Sequence, residues 1–140
     1  MATHPIIFEW IQKYGITSLL NTPCGGSDCD VFLQNGIKHI LGVNLGPTST
    51  LYHVDGDLVS WKPIGGPWDA AYVNCIFCTT ATGDKKTIAQ NMASWPIRHI
   101  LIYDTFTDYR WQEDFIAAGW QILDAHQSDA SVVEIWGRAA

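Results

Sequence analysis

Apolar positions in the first fifteen residues recur with helical spacing. Ile7, Trp10, Ile11 and Tyr14 fall at i, i+3, i+4 and i+7, which predicts an apolar stripe on a helix over 5–14. Pro5 suits its first turn and Gly15 its C-terminal cap. The pattern then shortens. Residues 16–22 form a short apolar run, expected as a strand, that ends in Pro23-Cys24-Gly25-Gly26-Ser27. Ser27 with Asp30 three positions later resembles a capping box, opening a helix through Val31, Phe32 and Leu33 that stops at Asn35-Gly36. A second apolar run, 39–45, predicts another strand. The β-rich segment 48–54 leads into Asp55-Gly56-Asp57, and too few residues precede it for an ordinary crossover helix. After the turn-rich 63–67, a strand is expected over 69–78 and a helix over 84–95, through Ile88, Ala89, Met92 and Trp95. Residues 97–103 are the most apolar strand. Trp111, Phe115 and Ala118 mark a further helix closed by Gly119, and strands over 120–125 and 131–136 flank a polar turn at His126-Gln127-Ser128-Asp129.

Strands alternating with helices imply a parallel sheet covered on both faces, which makes the chain an α/β protein. The last two strands are joined too tightly for a parallel crossover, so they form an antiparallel hairpin. No internal repeat or composition shift divides residues 1–140, so one domain is expected.

Composition narrows the function classes. Apolar residues make up 47% of the chain and charged ones 16%, which argues against disorder. The net charge of −6 and eight scattered Lys and Arg, densest at Lys85-Lys86, disfavour nucleic acid as a partner. No stretch is long and apolar enough to cross a bilayer, and the amino terminus lacks the features of a secretion signal. The expected location is therefore cytoplasmic, with Cys24, Cys29, Cys75 and Cys78 as reduced thiols. A four-cysteine metal site is set against their being ordinary buried thiols, and no metal is expected.

Doubly wound sheets bind ligands beyond the carboxyl ends of their strands, where strand order reverses. The first such end holds Asn21-Thr22-Pro23-Cys24-Gly25-Gly26-Ser27, with glycines that let the backbone approach a ligand. Leu19 to Ser27 resembles the acidic-x-Gly-x-Gly turn of the class I, Rossmann-like S-adenosylmethionine-dependent methyltransferases. Ile40-Leu41-Gly42-Val43-Asn44 is similar to that family's Gly-Val-Asp, Asp55-Gly56-Asp57-Leu58 to its Gly-Asp-hydrophobic segment, and Trp68 to Asn74 to its fourth strand. The resemblance covers nearly the whole chain and implies a three-layer, doubly wound, mostly parallel sheet ending in an antiparallel β-hairpin. It also implies S-adenosylmethionine as cofactor and methyl transfer to a small-molecule acceptor. The cofactor-binding residues it implies are Asn21, Thr22, Pro23, Cys24, Gly25, Gly26, Ser27, Asn44, Leu45, Asp57, Leu58 and Asn74. Within this set Asn44 would meet the ribose hydroxyls and Asp57 the adenine amino group. Asn21 and Asn44 stand where the family usually has carboxylates, and Pro23 and Ser27 replace glycines, which predicts a weaker site.

Asn74 and Asp104 are the candidate catalytic residues. Asn74-Cys75-Ile76-Phe77 partly resembles the Asn-Pro-Pro-Phe motif of amino-group methyltransferases, without its prolines; an ordinary buried Phe is the competing reading. Asp104 follows the fifth strand, to orient an acceptor, act as a base or cap its own loop. His39, His53, His99, His126 and Asp129 are read as structural or turn residues, and Trp61, Trp68, Trp111 and Trp120 mostly as packing. Two other functions stay open: a non-catalytic S-adenosylmethionine or nucleoside-binding module that partners another enzyme, and a nicotinamide-dinucleotide protein. The second lacks Gly-x-Gly-x-x-Gly. An exposed Trp or the final strand edge offers a homodimer surface. No hydrolase elbow, phosphate loop or His-Glu-x-x-His occurs.

Overall fold

The computed structural model describes residues 2–22, 28–44, 53–78, 82–105, 109–128 and 130–139, without the side chains of 28, 82 and 83. Along them run α1 (Pro5–Lys13), β1 (Ser18–Thr22), α2 (Asp28–Gln34), β2 (His39–Asn44), β3 (His53–Asp55) and β4 (Ala70–Asn74). Then come α3 (Thr82–Ala93), β5 (His99–Thr105), α4 (Trp111–Ala117), β6 (Trp120–Gln127) and β7 (Ser131–Arg138). The predicted apolar stripe of α1 is buried at Ile6, Ile7, Trp10 and Ile11. His4 caps this helix by accepting the Ile6 N–H at Nδ1, and Gly15 ends it with φ +64°, a conformation that costs glycine nothing.

The strands form one sheet in the order β3-β2-β1-β4-β5-β7-β6, parallel except for β7, which pairs antiparallel with both β5 and β6. β3 lies parallel to β2 through Gly42–His53, Val43–Val54 and Asn44–Asp55. Successive side chains on each strand enter opposite layers. Leu19, Tyr72, Leu101, Val133 and Ile135 pack with Ile7, Trp10 and Phe32, under α1 and α2. Leu20, Val73, Ile100, Ile102 and Trp136 pack with Ile88, Met92, Trp111 and Phe115, under α3 and α4. The three-layer doubly wound arrangement read from the sequence is the one observed.

Two boundaries change the reading. The strand expected over 69–78 stops at Asn74, because Cys75 takes φ +56°, which turns the chain out of the extended region. β6 runs on to Gln127, so His126 lies within a strand opposite Val133 and not on the turn. Its largely exposed edge position, with a bulge between Ile122 and Asp124, removes the apolar alternation that marks a strand. The capping residue Ser27, most of the 48–54 segment and Asp129 lie outside the described residues.

Two carboxylates, Glu134 buried and Asp69 half-buried, tie neighbouring elements together. Glu134, 3% exposed on β7, accepts the indole N–H groups of Trp111 (2.8 Å) and Trp136 (3.0 Å) at Oε1 and Gln112 Nε2 (3.0 Å) at Oε2. Glu134→Gln keeps an oxygen facing both indoles, and Gln112 can turn its own amide to accept the new N–H. The expected loss is less than about 1 kcal/mol in urea unfolding.

Asp69, just before β4, binds the N–H of Thr17 (2.9 Å) and Ser18 (3.2 Å), the Thr17 hydroxyl (3.1 Å) and Arg98 (2.7 Å). Burial acts to raise its pKa, but the Thr17 and Arg98 bonds outweigh it and hold the carboxyl below its ordinary 3.8. The folded state thus binds this proton less readily than the unfolded chain. The stability Asp69 contributes is present above 3.8 and lost as pH falls through the lower folded value. Melting temperature followed from about pH 5 to about pH 2 is expected to fall less steeply in Asp69→Asn than in wild type. Equal slopes would contradict it.

Candidate functional site

β1 is flanked by β2 on one side and β4 on the other, so strand order reverses between β1 and β4, and doubly wound sheets bind ligands beyond the carboxyl ends at such a point. Register places the ends side by side: Asn21 stands between Gly42 and Tyr72, Thr22 beside Val73, and Asn44 beside Asp55. Asn21, Thr22, Asn44, Asp57 and Asn74 therefore share one edge of the sheet. Pro23, Cys24, Gly25, Gly26, Ser27 and Leu45 lie outside the described residues.

The described members differ in availability. Thr22 is buried, and its hydroxyl donates to the Tyr72 carbonyl at 3.0 Å. Asn21 is fully buried; its Nδ2 donates to Cys29 Sγ at 3.6 Å, and its Oδ1 has no hydrogen-bond partner among the described residues. Asn44 is half-buried, and its carbonyl accepts the Gly56 N–H at 2.8 Å. Asp57 is exposed and anchors a tight turn, accepting Val59 N–H at 3.1 Å on its carboxylate and Trp61 N–H at 2.7 Å on its carbonyl.

This turn fits closely. A Cβ at Gly56 would stand 2.5 Å from the Trp61 ring and 2.9 Å from Val43, so only glycine passes there. Asn91 on α3 fastens the turn from behind, donating to the carbonyls of Leu58 (2.9 Å) and Trp61 (2.8 Å) while accepting from Lys62. Leu58 and Trp61 pack onto the layer under α3. Sequence reasoning missed Asn91, although a polar residue between Ile88 and Met92 of a buried helix face was a readable signal.

Asn74 is the last residue of β4, 7% exposed and in register with Tyr103. The chain turns immediately after it: Cys75 N–H donates to the Tyr103 carbonyl at 2.8 Å, and Phe77 is buried in a stack on Trp111, with ring centroids 5.1 Å apart. Phe77 is thus a core side chain, as the plainer of its two sequence readings had it. Asp104 lies within β5, opposite Val132, and not after the strand as expected from the sequence, because β5 runs on to Thr105; it is fully buried. Its Oδ2 accepts Phe77 N–H (2.8 Å), and its Oδ1 accepts Cys78 N–H (3.1 Å) and Thr105 N–H (2.8 Å). Burial pushes this carboxyl up, against the opposing pull of the three N–H groups and Lys85. Nearby, burial and Asp114 push the Tyr109 phenol well up, so it stays protonated.

Cys75 and Cys78 are joined by a disulfide, which corrects the expectation of four reduced thiols. It also removes two ligands from any four-cysteine cluster. Cys29 lies in the opposite layer, under α1 and α2, whereas Ile76 and Phe77 face α3. Trp111 and Trp120 are core residues, and Trp61 and Trp68 pack at its rim.

A cavity of about 430 Å³ lies at the opposite, amino-terminal edge, between Ser18, His39, Trp68 and Asp69. The Asp69 carboxylate there is already taken up by Thr17, Ser18 and Arg98. The carboxyl edge, where polar residues from four strand ends line up, is therefore the better site.

No protein-family model and no curated protein sequence matches the chain. Many solved structures share its fold. The methyltransferase domain of bacterial CtHen1-C superposes with a TM-score of 0.80 at 10% identity, over 96% of each chain. Magnesium protoporphyrin IX methyltransferase from Synechocystis PCC 6803, solved with bound S-adenosylmethionine, gives 0.73 at 15% identity, over 96% of this chain and 77% of that one. An rRNA methylase from Escherichia coli gives 0.69 at 12% identity, over 95% and 63%. The fold is that of the class I, Rossmann-like S-adenosylmethionine-dependent methyltransferases. The proteins that share it act on small molecules in some cases and on RNA in others. Among the described residues, no helix is long and apolar enough to cross a membrane.

Proposed function

We propose that this chain is an S-adenosylmethionine-dependent methyltransferase acting on a small-molecule acceptor. The observation that carries the reading is the sheet order β3-β2-β1-β4-β5-β7-β6 with an antiparallel β7, shared with methyltransferases solved with their cofactor bound. The polar ends of β1 and β4 flank its switch point, with those of β2 and β3 next along the same edge.

The described residues at this edge, Asn21, Asn44, Asp57, Leu58 and Asn74, suit the cofactor. Asn44 would accept from the ribose hydroxyls, and Asp57, exposed on its fastened turn, would accept from the adenine amino group. Leu58 would flank the adenine ring, and the family resemblance assigns Leu45 the same role. Asn21 Oδ1, which has no hydrogen-bond partner among the described residues, lies at the end of β1, and the family resemblance of the sequence 21–27, with Gly25 and Gly26, assigns this segment to the amino-acid portion. When bound, the cofactor supplies an electrophilic methyl group on a sulfonium. Asn74, at the end of β4, orients the acceptor. In-line displacement needs positioning above all, and a base only where the acceptor must lose a proton. Both Asp104 oxygens already accept backbone N–H groups. Asp104 therefore serves as a positioning residue for the turn after Asn74.

Release of S-adenosylhomocysteine from S-adenosylmethionine, measured across panels of small amines, phenols and carboxylic acids and across total RNA, tests the reading. Turnover with a low-molecular-weight acceptor and none with RNA is expected. Binding of cofactor without turnover on any panel would favour a non-catalytic binding subunit, and turnover confined to RNA would overturn the acceptor class.

A further inference from the structure

The Cys75–Cys78 disulfide spans the turn between two fixed points. On one side, Cys75 N–H donates to the Tyr103 carbonyl at 2.8 Å, directly after Asn74 leaves the sheet. On the other, Phe77 and Cys78 donate their N–H groups to Asp104, and the Phe77 ring stacks on Trp111. The bond therefore ties the end of β4 to an anchor that holds without it. Both cysteines are half-buried, within reach of a small thiol. The two sulfurs and an Asp104 oxygen also lie within 4.8 Å of one another, a spacing that suits a metal ion. Asp104 already accepts three N–H groups, which favours the disulfide over a metal.

We propose that Cys75 and Cys78 form a reversible thiol–disulfide site, oxidised by a low-molecular-weight disulfide and reduced by a dithiol, that sets the order of the Asn74 end of β4. In the oxidising direction one thiolate attacks the small disulfide, forming a mixed disulfide and releasing one small thiol. The second thiolate attacks the protein sulfur of that mixed disulfide and releases the other small thiol. Two electrons and two protons pass from the pair to the small disulfide. Closure fastens Cys75 to the Asp104-bound half of the turn; opening leaves Phe77 and Cys78 held by Asp104 and removes one of the tethers on Cys75, whose N–H bond to the Tyr103 carbonyl can then open more often. The consequence for ligand binding rests on the methyltransferase reading, whereas bond formation does not.

The full chain, reduced with dithiothreitol and desalted, is titrated with oxidised glutathione and followed by peptide mass and amide hydrogen exchange. The peptide holding Cys75 and Cys78 is expected to lose about 2 Da without a retained glutathione adduct and to regain it with dithiothreitol. Exchange at the Cys75 amide is expected to be roughly tenfold faster in the dithiol form, with Phe77 and Cys78 little changed. The double variant Cys75→Ser/Cys78→Ser should show the fast exchange under oxidising conditions. The proposal is overturned if both thiols stay alkylatable at every glutathione ratio, if oxidation stops at a mixed disulfide, or if closure leaves Cys75 exchange unchanged. Retention of zinc by the reduced protein in place of closure overturns it too. A parallel titration with S-adenosylhomocysteine in both states separates the two claims: no binding in either state contradicts the functional reading, and exchange still decides the switch.

Discussion

Asp104→Ala is expected to lose about 3–4 kcal/mol of stability and to melt roughly 10 °C below wild type. The carboxylate is fully buried and accepts three backbone N–H groups, two in the segment after β4 and one at the last residue of β5. Truncation leaves those donors without an acceptor in a site closed to water. Asp104→Asn is informative in a different way. Donors face both oxygens, so either orientation of the amide sets its NH2 against a backbone N–H, and about half the loss is expected to persist. This contrasts with Glu134→Gln, where one oxygen can still serve both indoles. The pH dependence adds a check on sign. Because burial raises the Asp104 pKa in the folded state, its contribution is greatest below the ordinary carboxylate value and is lost as pH rises through the raised one, opposite to Asp69. Thermal melts of Asp104→Asn and wild type across the acid range should therefore converge as pH rises.

The second large effect lies in ligand affinity. Asp57→Ala is expected to weaken S-adenosylhomocysteine binding by about tenfold, the equivalent of one charge-assisted hydrogen bond, with an unchanged melting temperature. Asp57 is exposed, and its turn is also held through backbone and Asn91, so the fold does not depend on its carboxylate. Asn44→Ala should weaken binding about fivefold, and Asn44→Asp should tighten it by a similar factor, because a charged acceptor binds hydroxyls more strongly than an amide does. Calorimetric titration of the three variants checks all three. Equal affinity in all of them would place the ligand elsewhere.

Much of the architecture was legible because burial writes a period into the sequence. The 3.6-residue stripe of α1 and the continuous apolar runs at Leu19-Leu20 and Ile100-Leu101-Ile102 follow from layers on both faces of a parallel sheet. The boundary errors have the same root. Ile76 and Phe77 are apolar because they sit in the core, and a strand and a turn fastened by a buried carboxylate look alike in hydropathy. β6 is an exposed edge, so its sequence carries little of the alternation that a half-buried strand shows. At the site, the order and spacing of strand ends placed Asn44, Asp57 and Asn74 on one edge. What sequence could not give was which polar groups were already engaged. Asp104 reads as a free acid at a strand end until its three N–H partners are seen, and Asn91 reads as one more helix residue until the two carbonyls it holds are known.

The most direct test of the central claim is calorimetric titration of the full chain with S-adenosylmethionine and S-adenosylhomocysteine, with NAD as the control. The structure and the residues at its carboxyl edge predict saturable binding of both sulfur ligands, weakened by Asp57→Ala, and none of NAD. Failure of both sulfur ligands to bind at millimolar concentration would contradict it and leave the methyltransferase likeness as a statement about fold.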